Sequence, residues 1–189
     1  MLSKKYCSEA AVAICRAGYR ALLLGSLLMS SSNLRAADNM HFHGALTAQP
    51  CSITPEEANV PLDFGDIIAK DLYKNQRTPG KTLELNLKEC NIEVASQVTV
   101  TFRGTEDSQL PGLLALAPDS QASGIAIGME MPDGHAVALN KPTENYSLTN
   151  GDNIITLHVY VQGEPQAISQ KAITPGIFDA IATFDLEYQ

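Results

Sequence analysis

Residues 176–189, Gly-Ile-Phe-Asp-Ala-Ile-Ala-Thr-Phe-Asp-Leu-Glu-Tyr-Gln, leave the chain little choice of fold. Phe178, Ala180, Ala182, Phe184, Leu186 and Tyr188 recur at strict period two, with Asp179, Thr183, Asp185 and Glu187 among the residues between them. A helix would scatter these side chains around its axis, whereas a strand places all the apolar ones on one face. The period predicts a half-buried antiparallel strand. No turn, proline or lysine cluster follows Tyr188 to blunt the edge of that strand. One expectation is therefore an edge that waits for a strand from another chain, and the simpler one is an ordinary core strand of a self-contained domain.

The first residues are built differently. Lys4, Lys5, Arg16 and Arg20 precede an apolar run over 21–29, and a serine-rich stretch leads to Leu34-Arg35-Ala36-Ala37. That is the layout of an export signal, with cleavage expected after Ala36 or Ala37 and an apolar core too short for a permanent membrane span. Loss of residues 1–36 removes five basic residues and one acidic residue, taking the formal charge from −8 to −12. Such an acidic surface repels nucleic acid. The same cut removes Cys7 and Cys15, leaving Cys51 and Cys90 as the pair in an oxidising compartment, where one disulfide is expected. A metal site would need more ligands at short spacing than flank either cysteine.

Short apolar alternations continue through the exported part. Met40, Phe42, Gly44 and Leu46 alternate with His41, His43, Ala45 and Thr47, and Pro50-Cys51 ends that stretch. Cys51-Ser52-Ile53 begins another, followed by the acidic turn 55–59 and a short strand over 60–65; residues 66–81 read as a polar connection. Strands are then expected at Leu83/Leu85/Leu87, Val98/Val100/Phe102, Ile125/Ile127/Met129, 136–139 and Ile155/Leu157/Val159/Val161, with Pro132-Asp133-Gly134-His135 as a hairpin turn and 163–175 as a polar crossing. About eight short strands without a long helix predict an all-β, two-sheet sandwich. No nucleophile elbow, zinc-protease helix, phosphate loop or dinucleotide fingerprint is present, so an enzyme reading has no anchor. His41 and His43 share one side of a strand and could hold a metal, but two solvated histidines on an edge account for them as well. The carboxylate pairs Glu56-Glu57 and Glu106-Asp107 fall in turns, and Asn145-Tyr146-Ser147 matches a glycosylation sequon.

Several of these residues, taken in order, resemble the pilin subunits of the chaperone-usher class from Gram-negative bacteria. The carriers are Phe42-His43-Gly44 before Cys51, Cys51-Ser52-Ile53, Leu62-Asp63-Phe64-Gly65, Cys90, and the ending 176–189 with Tyr188 next to last. Residues 98–116, residues 159–167 and the ending look most like the adaptor-type minor pilins of P pili. The resemblance implies an immunoglobulin-like sandwich lacking its last strand, completed by donor-strand exchange. Residues 37–49 would be the N-terminal donor extension and 50–189 the incomplete domain. It also implies that Phe178, Ala180, Ala182, Phe184, Leu186 and Tyr188 form the groove and chaperone-pairing strand. Gln189 would supply the terminal carboxylate held by two basic chaperone residues, and Met40, Phe42, Gly44 and Leu46 would be the strand donated to a neighbour.

The implied partners are a periplasmic pilus chaperone, an outer-membrane usher and neighbouring pilin subunits, with no cofactor. The protein would pass through the periplasm to a cell-surface fimbrium and contribute to adhesion. About fourteen residues separate the expected cleavage point from Cys51. That is short for a rod-forming pilin and favours a minor or adaptor subunit. The alternatives are a self-complete secreted sandwich that binds sugar or receptor, and an exported hydrolase working through scattered carboxylates.

Overall fold

The computed structural model describes residues 43, 44, 46 and 48–189. The chain divides between Ala45 and Leu46, and Leu46–Gln189, the second of its two units, is compact in itself. The expected export signal over 1–36, and Met40 and Phe42 of the expected donor strand, lie outside the described residues. Gly44 and Leu46 are exposed and belong to no strand.

In the second unit, two antiparallel sheets face each other. The first contains β1 (Lys81–Cys90), β6 (Gly151–Gly163), β3 (Ile125–Glu130) and β4 (Ala136–Val137), in the order β1-β6-β3-β4. The second contains β5 (Tyr146–Ser147), β2 (Gln97–Arg103) and β7 (Thr183–Tyr188), in the order β5-β2-β7. Period-two apolar patterning decides what lies between them. Leu83 pairs with Leu157 and Leu85 with Ile155 across β1 and β6, while Val98, Val100 and Phe102 project from β2. Leu87, Leu157, Val98, Val100, Val161 and Leu139 are essentially sealed from solvent. Pro50 to Ser52 lie beside the end of β1, where Ser52 and Lys88 exchange backbone bonds of 2.8 and 2.9 Å. That approach places Cys51 against Cys90, and the two are bonded with their Cα atoms 4.0 Å apart.

The structure departs from the sequence expectations at several places. Residues 55–58 are a single helical turn, α1 (Pro55–Ala58), rather than a plain turn. Within the supposed polar connection lies α2 (Ala69–Asn75), and within the polar crossing lies α3 (Pro165–Gln170). Leu72 and Ala167 are their buried side chains, with Ala69 and Tyr73 of α2 and Ile168 of α3 packed on the core beside them, and elements of seven and six residues are too short for that period to stand out in sequence. The strand expected over 60–65 does not form, because no neighbour among the described residues offers a ladder; the segment runs outside any sheet, tied by a 2.7 Å bond from Lys81 Nζ to the Asp63 carbonyl. Seven strands form among the described residues, and the final one begins at Thr183 rather than at 178, because its partner β2 ends at Arg103.

Candidate functional site: an open strand edge

The register of β7 on β2 fixes which backbone groups are spent. Gln97 and Gln189 exchange both of their N–H···O bonds, at 3.0 and 2.9 Å. In an antiparallel pair, bonded and non-bonded residue pairs alternate. Thr99–Glu187, Thr101–Asp185 and Arg103–Thr183 are therefore the bonded pairs, and Val98–Tyr188, Val100–Leu186 and Phe102–Phe184 the non-bonded ones. The other edge of β2 agrees with this, since Thr143 donates to the Val100 carbonyl at 2.9 Å and Asn140 to the Phe102 carbonyl at 2.7 Å. The N–H and C=O groups of Phe184, Leu186 and Tyr188 consequently point away from β2, along an edge that no other strand among the described residues covers.

The side chains of the same residues agree with the backbone. Phe184, Leu186 and Tyr188 point toward the core yet are only half-buried, while their partners Val98, Val100 and Phe102 are 0%, 0% and 4% exposed. The difference is the missing neighbour on the far side. A groove of about 850 Å³ opens there. One wall is the segment 58–67, and the other is 176–182 continuing into Phe184. Its floor is apolar, including Leu83, Leu85, Phe102, Leu114, Ile127 and Met129. Phe64 and Phe178, one from each wall, meet with ring centroids 6.2 Å apart. Ile177 and Ile181 stand on the rim, 72% and 79% exposed. The Tyr188 hydroxyl is shut away from water with no hydrogen-bond partner among the described residues, and burial raises its pKa above the ordinary phenol value.

Of the residues singled out from sequence, Phe178, Ala180, Ala182 and Phe184 line the groove, and Leu186 and Tyr188 continue its edge. Gln189 closes the ladder against Gln97 through its backbone. The opposite wall was missed as a site, although Val60, Leu62 and Phe64 alternate and all pack on the core. Their period was the available signal. Among the described residues no cluster of three or more His, Cys, Asp or Glu could hold a metal ion. His41 lies outside the described residues.

An incomplete sandwich with a bare apolar edge defines a strand-accepting structural domain. Residues 40–189 match the family model described as "Fimbrial protein", and the chain belongs to that family. It is 35% identical, over 92% of its own length and 96% of the relative's, to the "Uncharacterized fimbrial-like protein YfcP" of Escherichia coli (strain K12). It is 31% identical, over 86% and 93% respectively, to the "Putative minor fimbrial subunit PmfF" of Proteus mirabilis (strain HI4320). The crystal structure of the P pilus rod subunit PapA superposes with a TM-score of 0.61 at 24% identity, covering 75% of this chain and all of that one. That likeness is one of fold, the incomplete immunoglobulin-like pilin sandwich. The chain is a structural fimbrial subunit rather than an enzyme.

Proposed function

We propose that the protein is a minor, adaptor-type subunit of a chaperone-usher fimbria, which receives a strand in its groove and donates residues 37–49 to a neighbour. The single observation that carries this reading is the free edge of Phe184, Leu186 and Tyr188 beside an apolar groove. Bare backbone groups supply affinity to an added strand, and pockets between alternate side chains supply selectivity. A periplasmic chaperone fills the groove first, gripping the carboxylate of Gln189, and the extension of the next subunit replaces it at the usher. The fourteen residues between the expected cleavage point and Cys51 support an adaptor rather than a rod subunit. Export through the periplasm to the cell-surface fimbrium follows from the same reading.

The test is to append a peptide of alternating apolar residues after Gln189 through a flexible linker and to follow thermal unfolding. A filled groove raises the melting temperature and suppresses aggregation. If the extended protein melts no higher than the parent, and the parent is a well-behaved monomer, the protein is a self-complete binding module instead. A second experiment addresses donation. Deleting 37–46 is expected to leave chaperone binding intact and abolish incorporation as a donor, and loss of chaperone binding would instead make the segment part of the fold.

A further inference from the structure

Upstream of β7 the chain has no strand among the described residues to lie against, because β2 ends at Arg103. Residues 174–179 are nevertheless held along their length by the segment 117–123. Ser123 and Thr174 exchange backbone bonds of 3.1 Å, and the N–H groups of Gln121 and Ala122 both donate to the Ile177 carbonyl, at 2.8 and 3.2 Å. Ser120 grips Asp179 from both sides. Its Oγ accepts from the Asp179 N–H at 3.1 Å and its hydroxyl donates to the Asp179 carbonyl at 3.2 Å. The Ala117 N–H donates to that same carbonyl at 2.7 Å. Gly176 makes the approach possible, since a Cβ there would sit 2.6 Å from Gln121 Cβ and 3.0 Å from the Ala122 nitrogen.

Beyond Gly176, the bonded residues Ile177 and Asp179 keep the parity of Thr183, Asp185 and Glu187, whose backbone groups face β2; Thr174, before that glycine, has the opposite parity. Phe178, Ala180 and Ala182 keep the parity of Phe184, Leu186 and Tyr188, and make no backbone hydrogen bond among the described residues. Phe178, Ala180 and Ala182 also line the groove. Two unrelated partners, β2 and the 117–123 segment, thus leave the same alternate residues open.

We propose that the 117–123 segment is a brace, with Ser120 as its positioning residue, that keeps 177–181 ready to pair, so that the strand-accepting edge runs over 178–188 rather than over β7 alone. This inference rests on the strand-accepting reading of the groove. It defines the occupant as an extended segment of a second polypeptide, apolar at alternate positions. An edge of that span accommodates about 36 Å of strand, against about 20 Å for the six residues of β7. The brace replaces, for the upstream half, the partner strand that β2 does not provide.

The experiment uses two lysine-flanked peptides of alternating Val and Thr, a short one that matches β7 and a long one that also reaches residue 178. Binding to the full chain is measured by fluorescence anisotropy. The long peptide is expected to bind more tightly. Ser120→Ala is expected to weaken the long peptide about tenfold and leave the short one unchanged, as the loss of one or two hydrogen bonds that order the edge would do. Ser120→Thr, which keeps the hydroxyl, is expected to restore it. Ala117→Pro removes the other donor to Asp179 and is expected to act in the same selective way. If neither variant changes the ratio of the two affinities, or if both peptides weaken equally, the brace is refuted while the groove stands. If the unaltered protein takes up neither peptide, the groove does not accept strands and both readings fall.

Discussion

Phe184 and Asp185 are adjacent in sequence and opposite in consequence. Phe184 faces the groove, whereas Asp185 lies on the solvent face, where it pairs with Arg103. Phe184→Asp places an unpaired charge on apolar surface and is expected to lower stability by about 1.5–3 kcal/mol and to weaken any strand complex. Asp185→Ser breaks an exposed ion pair and is expected to leave stability essentially unchanged. Urea melts of the two variants side by side check both outcomes. At the tip of the β3–β4 hairpin, Asp133 accepts from the His135 backbone N–H at 3.0 Å and meets its Nδ1 at 2.9 Å. The side-chain bond to Asp133 raises the pKa of His135 above 6.5, and the backbone bond from His135 leads the causes that lower Asp133 below 3.8. The stabilising pair is thus fully formed between those ordinary values. It is lost as pH rises through the raised histidine value, or falls through the lowered carboxyl value. Asp133→Asn is expected to bring the His135 midpoint down, as an NMR titration would read.

Among the elements, β3 and β6 depend on one missing side chain. A Cβ at Gly128 would lie 2.3 Å from Tyr160 Cζ, and Tyr160 in turn carries the Arg77 guanidinium 4.4 Å above its ring. Gly128→Ala is expected to displace both and to cost about 1–3 kcal/mol, measured by chemical denaturation. The sheets were legible from sequence wherever a strand shows one face to the core: Leu83/Leu85/Leu87, Val98/Val100/Phe102 and Ile155/Leu157/Val159/Val161 all lie on the core side. What could not be read was where pairing stops. Residues 178–188 have one uninterrupted period, but a ladder needs a partner, and Arg103 ends it. Past Arg103 the same period continues without a ladder through Phe178, Ala180 and Ala182, which line the groove. α2 and α3 are hard to read because neither N-cap, Ile68 or Glu164, makes a side-chain capping bond; Pro165 at the start of α3 and the Ala69/Leu72/Tyr73 spacing with Asp71 and Lys74 at the ends of α2 were the available cues.

For the molecule as a whole, the groove leaves apolar area uncovered that a closed sandwich would bury. Each large side chain is worth roughly 1.5–3 kcal/mol on full burial, so a few of them rival the 5–15 kcal/mol that holds a typical domain together. The isolated subunit is expected to be marginal and prone to aggregate, and co-expression with a matching periplasmic chaperone is expected to recover soluble protein. The disulfide ties Cys51 to Cys90 at the end of β1. It closes 39 residues of sequence separation, and replacing both cysteines by serine is expected to cost about 3–4 kcal/mol in the unfolding equilibrium. Its position has a mechanical meaning as well. In a fibre held together through the segment before Pro50, tension would reach Cys51 almost at once. The covalent bond would pass that tension to Cys90 and so into β1, whose ladder with β6 spans Lys81 to Cys90. Load would bypass the weaker contacts of residues 53–80, and a reduced subunit stretched by its ends would surrender that stretch first, at lower force than the oxidised one.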